Sequence, residues 1–484
     1  MTYLGIDLGT SGLRALLIDE SGDFHASAEQ RYSTDHPHSG WSEQDPKHWT
    51  DTASGVMDAL RDEYPKEVAA IKGIGVSGHM HGATLLDKNG TVLRPCILWN
   101  DTRAYEEAQL LDSIAEVRGL SGNIVFPGFT APKLLWVRKN EPELFAQIDK
   151  VLLPAAYLNF WLTGETFADM SDSAGTSWLD TGRRAWSDYL LSAGDMHTDQ
   201  MPRLVEGCET GGTLRKELCA DWGIASPPVV VGGAGDNAAA AAGIGALNDG
   251  QGFVSLGTSG VLMVARDSYA PAPETAVHTF CHAVPDRWYQ MGVILAATDS
   301  LNWLSNVLEA EPAALTMLLG DNLKSPSSTR FLPYISGERT PHNDSAIRGA
   351  FLNLSVGTDR SEMVQAVLEG VSFALADCKD ALAKTNASFE TVFAIGGGAQ
   401  SRYWVELLAT VLDLPLAIPK SGEFGAAMGA ARLAMIGATS ADPHDILRSP
   451  EISEKIEPNT KLKGAFAAAH HAYRDSYKYL RDMP

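Results

Sequence analysis

The string Leu-Gly-Thr-Ser-Gly occurs twice in this chain, at 8–12 and at 256–260, 248 residues apart in a sequence of 484. Self-similarity at half the chain length points to two similar structural halves. Apolar residues flank both copies: Leu4 and Ile6 before the first and 13–18 after it, Phe253 and Val254 before the second and 261–264 after it. Each copy therefore reads as a strand, a glycine-rich turn and a returning strand. One position breaks the symmetry, for Asp7 precedes the first turn where Ser255 precedes the second.

Between and beyond the hairpins, strand and helix patterns alternate, which is the signature of an α/β fold. Segments 71–76, 229–231 and 392–395 read as buried strands, and 46–60, 102–111, 132–138, 362–382, 403–412, 426–435 and 464–480 as helices. Asp45 followed by Pro46 is an N-cap before a first-turn proline. Turn chemistry at Asn248-Asp-Gly250 lies just ahead of the second hairpin, so the expected domains are 1–246 and 247–484.

Charge and cysteine usage narrow the setting. With 38 Lys plus Arg against 60 Asp plus Glu, the formal net charge is -22, which opposes non-specific binding to nucleic acid or to an anionic membrane. An anionic ligand must then be held by a local site. The five cysteines form no CxxC pair and no metal spacing, the chain opens without a basic and apolar leader, and no run of about 18 apolar residues occurs. A cytoplasmic protein without membrane spans is expected.

A glycine-rich turn between strands leaves backbone N–H groups pointing into a concavity where a phosphate can approach. Two such turns, Gly9-Thr10-Ser11 and Gly257-Thr258-Ser259, suit one triphosphate held from both sides. A carboxylate at Asp7 would oppose phosphate unless Mg²⁺ lay between them, and Mg²⁺ commonly joins one or two carboxylates to phosphates; otherwise Asp7 is a turn residue. The run from Val229 through Gly235-Asp236-Asn237 to Ala242 is a strand, a turn and a small-residue helix. Asp236 there is either a plain N-cap or, lying just before the boundary between the halves, a general base for a substrate hydroxyl.

Three further strings lie at strand ends, the usual ligand side of an α/β sheet. Gly78-His-Met80-His81-Gly82 offers two imidazoles without a nearby third metal ligand, which favours hydrogen bonding to a polar substrate over metal. Trp99-Asn100-Asp101-Thr-Arg103 places planar polar groups beside an aromatic, as sugar hydroxyls require, or else is a loop closed by an Asp101 to Arg103 pair. Gly396-Gly397-Gly398-Ala399, before a helix starting near Arg402, can cradle a nucleotide by its backbone. No GxxxxGK[ST] string and no protein-kinase HRD or DFG set is present.

Taken together, Gly5-Ile-Asp-Leu-Gly-Thr-Ser-Gly12, the second LGTSG, Gly235-Asp-Asn237 and the triple-glycine turn resemble the carbohydrate kinases of the FGGY family. Gly128-Phe-Thr-Ala-Pro-Lys133-Leu-Leu-Trp136 is similar to that family's first signature, and 349–369 covers the region of its second. The resemblance extends from Gly5 to about Ala431. It implies two actin-like, ribonuclease H-like ATPase domains of the sugar kinase, heat-shock chaperone and actin superfamily, with a cleft between them. Carried over by position, it implies Asp236 as catalytic base with Asn237 beside it, Asp7 near Mg²⁺ directly or through water, and Met80 and His81 on the substrate. It further implies phosphate contacts at the two hairpins, adenosine contact at Gly397, Gly398 and Ala399, ATP as the phosphoryl donor, and a homodimer.

Within the family, Met80-His-Gly-Ala-Thr-Leu-Leu-Asp87, Ile97-Leu-Trp-Asn-Asp101, Trp41-Ser-Glu-Gln-Asp-Pro46, Asp169-Met-Ser-Asp-Ser-Ala-Gly-Thr176 and Ser336-Gly-Glu-Arg-Thr-Pro341 are similar to the members that act on D-xylulose. His79 stands where those members usually carry Gln. The alternatives are a kinase for ribulose, gluconate or glycerol, and, more remotely, an ATP-driven conformational protein of the chaperone or actin type. The long insertion between the hairpins, and the lack of a separate β-rich peptide-binding region, speak against the last.

Overall fold

The first apolar run forms strand β1 (Thr2–Leu8), buried almost throughout, which turns at Gly9–Ser11 into β2 (Gly12–Ile18). The computed structural model describes residues 1–420 and 425–482. β1 is the pivot of the first sheet. On one side it pairs antiparallel with β2, followed by β3 (Phe24–Arg31), and on the other it runs parallel to β4 (Ile71–Gly78). Beyond β4 lie β5 (Thr210–Thr213) and β6 (Val229–Val231), giving the order β5-β6-β4-β1-β2-β3, and β7 (Ala234–Gly235) pairs with the carboxyl end of β4.

The second sheet repeats this plan. β8 (Gln251–Leu256) pairs antiparallel with β9 (Gly260–Arg266) through the second hairpin and runs parallel to β12 (Thr391–Ile395). With β10 (His278–Cys281), β11 (Trp288–Ile294), β13 (Leu416–Pro419) and β14 (Ile452–Ile456), the order is β10-β11-β9-β8-β12-β13-β14. Near-continuous burial of β4 and β8 follows from cover on both sheet faces.

Two small-residue helices join the halves. Helix α1 (Asp236–Gly243) leads out of the first sheet, and α3 (Ala426–Thr439) comes from the second half but lies against β1 and β4; between them in sequence, α2 (Arg360–Ala383) is the buried spine of the second half. Glycine decides how closely α3 can sit. A Cβ at Gly5 would stand 1.9 Å from the carbonyl oxygen of Ala427, and one at Gly75 2.2 Å from that of Ala430. Ala239, Ala242, Phe253, Met263, Phe393 and Ala431 fill one continuous core between the two sheets, so burial of this apolar surface ties the halves together.

Several element ends differ from the sequence expectation for local reasons. The helix expected from 102 starts at Tyr105, because the Asp101 carboxylate accepts the Arg103 N–H at 2.9 Å and holds 101–103 in a turn. Asp45 does cap the helix Pro46–Glu63, accepting from Lys47 N. All five cysteines are free thiols. Among the described residues no helix is long and apolar enough to cross a membrane.

Candidate active site

The carboxyl ends of β1, β4 and β7 bring Asp7 and Asp236 within each other's field. Asp7 stands beside Ser77 in the parallel register and opposite Arg14 in the antiparallel one. The Ser77 hydroxyl donates to Asp7 Oδ1 at 2.8 Å. Burial raises the Asp7 pKa, while that hydrogen bond and the Arg14 charge pull it back. Asp236 is not the cap of α1: Gly235 occupies that position and Asp236 is the first helical residue. Its Oδ1 accepts the Asn237 N–H at 2.7 Å and the Asn237 side-chain amide at 2.8 Å. Burial, with the Asp7 charge adding to it, pushes the Asp236 carboxyl up to about 6 against these hydrogen bonds. A carboxylate with that pKa near neutral pH, still partly exposed, is suited to accept a proton.

Both hairpins have their carbonyls tied down from behind. Gly9 O accepts from the Tyr32 hydroxyl and Thr10 O from the Gln44 amide at 2.6 Å, while the Trp99 indole N–H donates to Thr10 Oγ1 at 2.9 Å. In the second hairpin, Gly257 O accepts from Thr298 N and Thr258 O from Ala297 N, at 2.9 and 2.8 Å. Among the described residues no group accepts from the backbone N–H of Thr10, Ser11, Thr258 or Ser259. Donors fixed in this way and left unpaired form an anion-binding concavity.

Met80 and His81 stand at the end of β4, both buried. Met80 packs against Gly235 and receives the Tyr289 hydroxyl at its Sδ, 3.9 Å away. His81 adopts a left-handed backbone with φ 69°. Its carbonyl accepts from Lys133 Nζ at 2.7 Å and from Thr130 Oγ1 at 3.1 Å, and its ring stacks on Phe129 at 4.4 Å. Burial holds the His81 imidazole neutral, with a pKa of about 3. Nδ1 faces the Gly175 carbonyl at 2.7 Å, so it carries the proton and Nε2 is left as an acceptor for a hydroxyl. His79 turns the other way, edge-on to Trp49 at 5.6 Å. The two imidazoles form no metal pair, and among the described residues no group of three His, Cys, Asp or Glu side chains could hold an ion.

The cluster at 99–103 is committed internally. Asp101 and Arg103 pair at 2.7 Å, Asp101 accepts the Ser42 N–H at 2.6 Å, and Arg103 bonds Glu43 and lies over Trp41 at 3.6 Å. Trp99 braces the first hairpin, and Asn100 lines an outer groove with His36, His38 and Trp41. The structure thus gathers Asp7, Asp236, Asn237, Met80 and His81, pairs Asp101 with Arg103 as one of the two sequence readings had it, and leaves Trp99 on the first hairpin and Asn100 on the outer groove.

Gly397 and Gly398 line a cleft of about 870 Å³ with Thr298, Asn302, Pro312 and Tyr403. Gly396 has φ +88°, which a side chain would strain, and Ala399 N–H closes the turn onto Gly396 O at 3.1 Å. Volume and mixed lining suit a nucleoside. Sequence reasoning missed the wall from 298 to 322, because an amphipathic helix facing a cleft has the same periodicity as one facing solvent. It also assigned no role to Lys133, although a lysine in an apolar helical run was a visible signal.

Residues 2–243 match the N-terminal domain of the FGGY family of carbohydrate kinases and residues 252–438 its C-terminal domain. The chain is 44% identical over 482 residues to the xylulose kinase of Escherichia coli strain K12, with 99% of both chains covered. It is 36% identical over 492 residues to the xylulose kinase of Lactococcus lactis, covering 100% of this chain and 98% of the other. The crystal structure of a "xyloylose kinase" from Brucella ovis superposes with a TM-score of 0.97 at 54% identity, over 99% of each chain. Two domains matched in order, and full-length likeness in both sequence and fold, leave one assignment: this chain belongs to the FGGY family of carbohydrate kinases.

Proposed function

We propose that this protein transfers the γ-phosphoryl group of ATP to the C5 hydroxyl of D-xylulose, giving D-xylulose 5-phosphate and ADP in the breakdown of pentose sugars. Family membership and the full-length likeness to kinases named for xylulose support the reaction and the sugar. The observation that carries the mechanism is Asp236, a partly exposed carboxylate with a pKa of about 6, next to Gly235, on which Met80 packs. Asp236 accepts the proton of the C5 hydroxyl as its oxygen bonds to the γ-phosphorus, and the bond from that phosphorus to the β,γ-bridging oxygen breaks to release ADP. His81 Nε2 and Asn237 orient the sugar. The unpaired N–H groups of the two hairpins cradle the triphosphate, and the cleft by Gly397, Gly398 and Ala399 takes the adenosine.

Asp7 fits a Mg²⁺ site in one respect visible here: it is a partly exposed carboxylate whose charge reaches a second one, Asp236, and helps push that group's pKa up. When bound there, directly or through water, Mg²⁺ would supply charge neutralisation for the phosphates. Five free thiols support a cytoplasmic setting.

ADP release with Mg·ATP, measured against D-xylulose, D-ribulose, L-ribulose, gluconate, glycerol and no sugar, tests the reading. Stimulation chiefly by D-xylulose is expected. Preference for another acceptor would move the substrate, and steady hydrolysis indifferent to sugar would overturn the kinase.

A further inference from the structure

The polar groups described so far around the sugar come from the first half alone, yet the pocket is closed on its other side by the second. Phe126 and Phe129 of the first half meet His278 of β10 at 5.2 and 5.9 Å, and Phe280 lies 6.2 Å from the His81 ring. Into this seam comes Arg339, whose guanidinium lies over Phe126 at 4.7 Å. Its backbone is firmly held. Thr340 N–H donates to Val293 O at 3.0 Å, Thr340 Oγ1 donates to Ala276 O at 2.8 Å and accepts from Val293 N, and Glu338 Oε1 accepts from Leu295 N and Arg339 N.

The side chain is held far less completely. Its electrostatic neighbour is Glu338, one of whose oxygens is spent on the two backbone N–H groups. The Arg339 charge acts on both His81 and His278 and helps keep those rings neutral. His278 is 1% exposed, and neither of its ring nitrogens has a partner among the described residues. A desolvated guanidinium resting on a ring, beside an imidazole with two unpartnered nitrogens, leaves hydrogen-bonding capacity that a polar ligand can take up.

We infer that Arg339, backed by His278, binds the carbonyl end of the sugar, the guanidinium donating to the C2 oxygen and the C1 hydroxyl while Asp236 engages the C5 hydroxyl at the other end. Met80 touches Gly235, the neighbour of Asp236, and precedes His81, on whose ring the Arg339 charge acts. Guanidinium offers only donors, which suits a ketone oxygen. The sugar then bridges both halves, and its binding draws Arg339 and β10 onto the Met80 and His81 loop. This assignment rests on the reading of D-xylulose as acceptor.

Steady-state kinetics of wild type, Arg339→Met and Arg339→Lys with D-xylulose and with 1-deoxy-D-xylulose test it. Arg339→Met is expected to raise KM for D-xylulose at least about ten-fold, with KM for ATP changed less than about two-fold. Wild type should prefer D-xylulose to the 1-deoxy sugar by several-fold, and Arg339→Met should lose that preference. Arg339→Lys, which keeps a cation over Phe126, should keep the native melting temperature and recover part of the affinity. An unchanged sugar KM, an undiminished preference against the 1-deoxy sugar, or equal rises in KM for sugar and ATP would overturn the inference and make Arg339 a strut between the halves. Absence of D-xylulose turnover in the wild type would instead overturn the substrate reading on which the inference rests.

Discussion

Replacing Asp236 by Asn should remove catalysis and make the protein more stable. Asn keeps the shape, and its Oδ1 can still accept from the Asn237 N–H and side-chain amide that Asp236 engages at 2.7 and 2.8 Å. What it lacks is the charge. The carboxyl is pushed from 3.8 up to about 6, and a raised acid pKa means that the folded state disfavours the ionised form. The resulting cost is absent below pH 3.8, grows as the group ionises, and is complete above about pH 6. At roughly 1.4 kcal/mol per pH unit it amounts to about 3 kcal/mol at pH 7.5 and about half of that at pH 5. Because Asp236 is partly exposed, screening reduces the measurable gain at pH 7.5 to on the order of 1–3 kcal/mol. Melting temperatures of Asp236→Asn and wild type, taken without nucleotide at pH 7.5 and pH 5, should show the variant higher by several degrees at the first pH and by less at the second. Its kcat should fall at least about 100-fold. A variant no more stable than wild type at pH 7.5, or a gain that does not shrink toward pH 5, would refute the electrostatic account of this residue.

Other consequences are as specific. kcat/KM for the sugar should fall below a pKa near 6, because the base is protonated there; Asp7→Asn should move that acid limb lower by removing the charge that raises Asp236, while kcat drops at least about 100-fold and the Mg²⁺ requirement rises. An unshifted limb and Mg²⁺ titration would make Asp7 a turn residue. His81→Asn, a residue that tolerates the left-handed backbone at φ 69°, should raise KM for the sugar about ten-fold and leave KM for ATP nearly unchanged; equal changes in both would point to a structural role. In Gly398→Val, the Cβ would stand 2.8 Å from that of Leu256 and 3.0 Å from the Trp404 ring. ADP affinity measured by calorimetry should then weaken by about ten-fold or more, and unimpaired ADP binding would remove this turn from the nucleotide site.

Much of this protein was legible in one dimension because the decisive signals are local. A glycine turn between two apolar alternations specifies a hairpin from nearest-neighbour geometry, and its recurrence at 256–260 announced two like halves before any contact was known. Asp7, Asp236 and His81 could be singled out because each lies at or just after the end of a strand marked by adjacent glycines. What a string cannot carry is the other side of a contact. The cluster at 99–103 has the same composition whether Asp101 and Arg103 face a sugar or each other, and only packing against Ser42, Glu43 and Trp41 commits them to the scaffold. Lys133 looks like an ordinary helical lysine until the fold buries it on the His81 carbonyl, and there burial lowers its pKa to about 7. Arg339 is 103 residues from Asp236 in sequence, and no periodicity relates them; Arg339 comes to lie over Phe126 of the first half because α3 crosses onto the first sheet and binds the halves face to face. Sequence alone determined the hairpins, the order of elements and the chemical types at the strand ends, since backbone sterics and patterning act over a few residues. Tertiary structure decided which charges are neutralised, which ring nitrogens stay free and which half supplies each wall of the pocket, because desolvation and Coulomb energy depend on neighbours that the chain brings together only on folding.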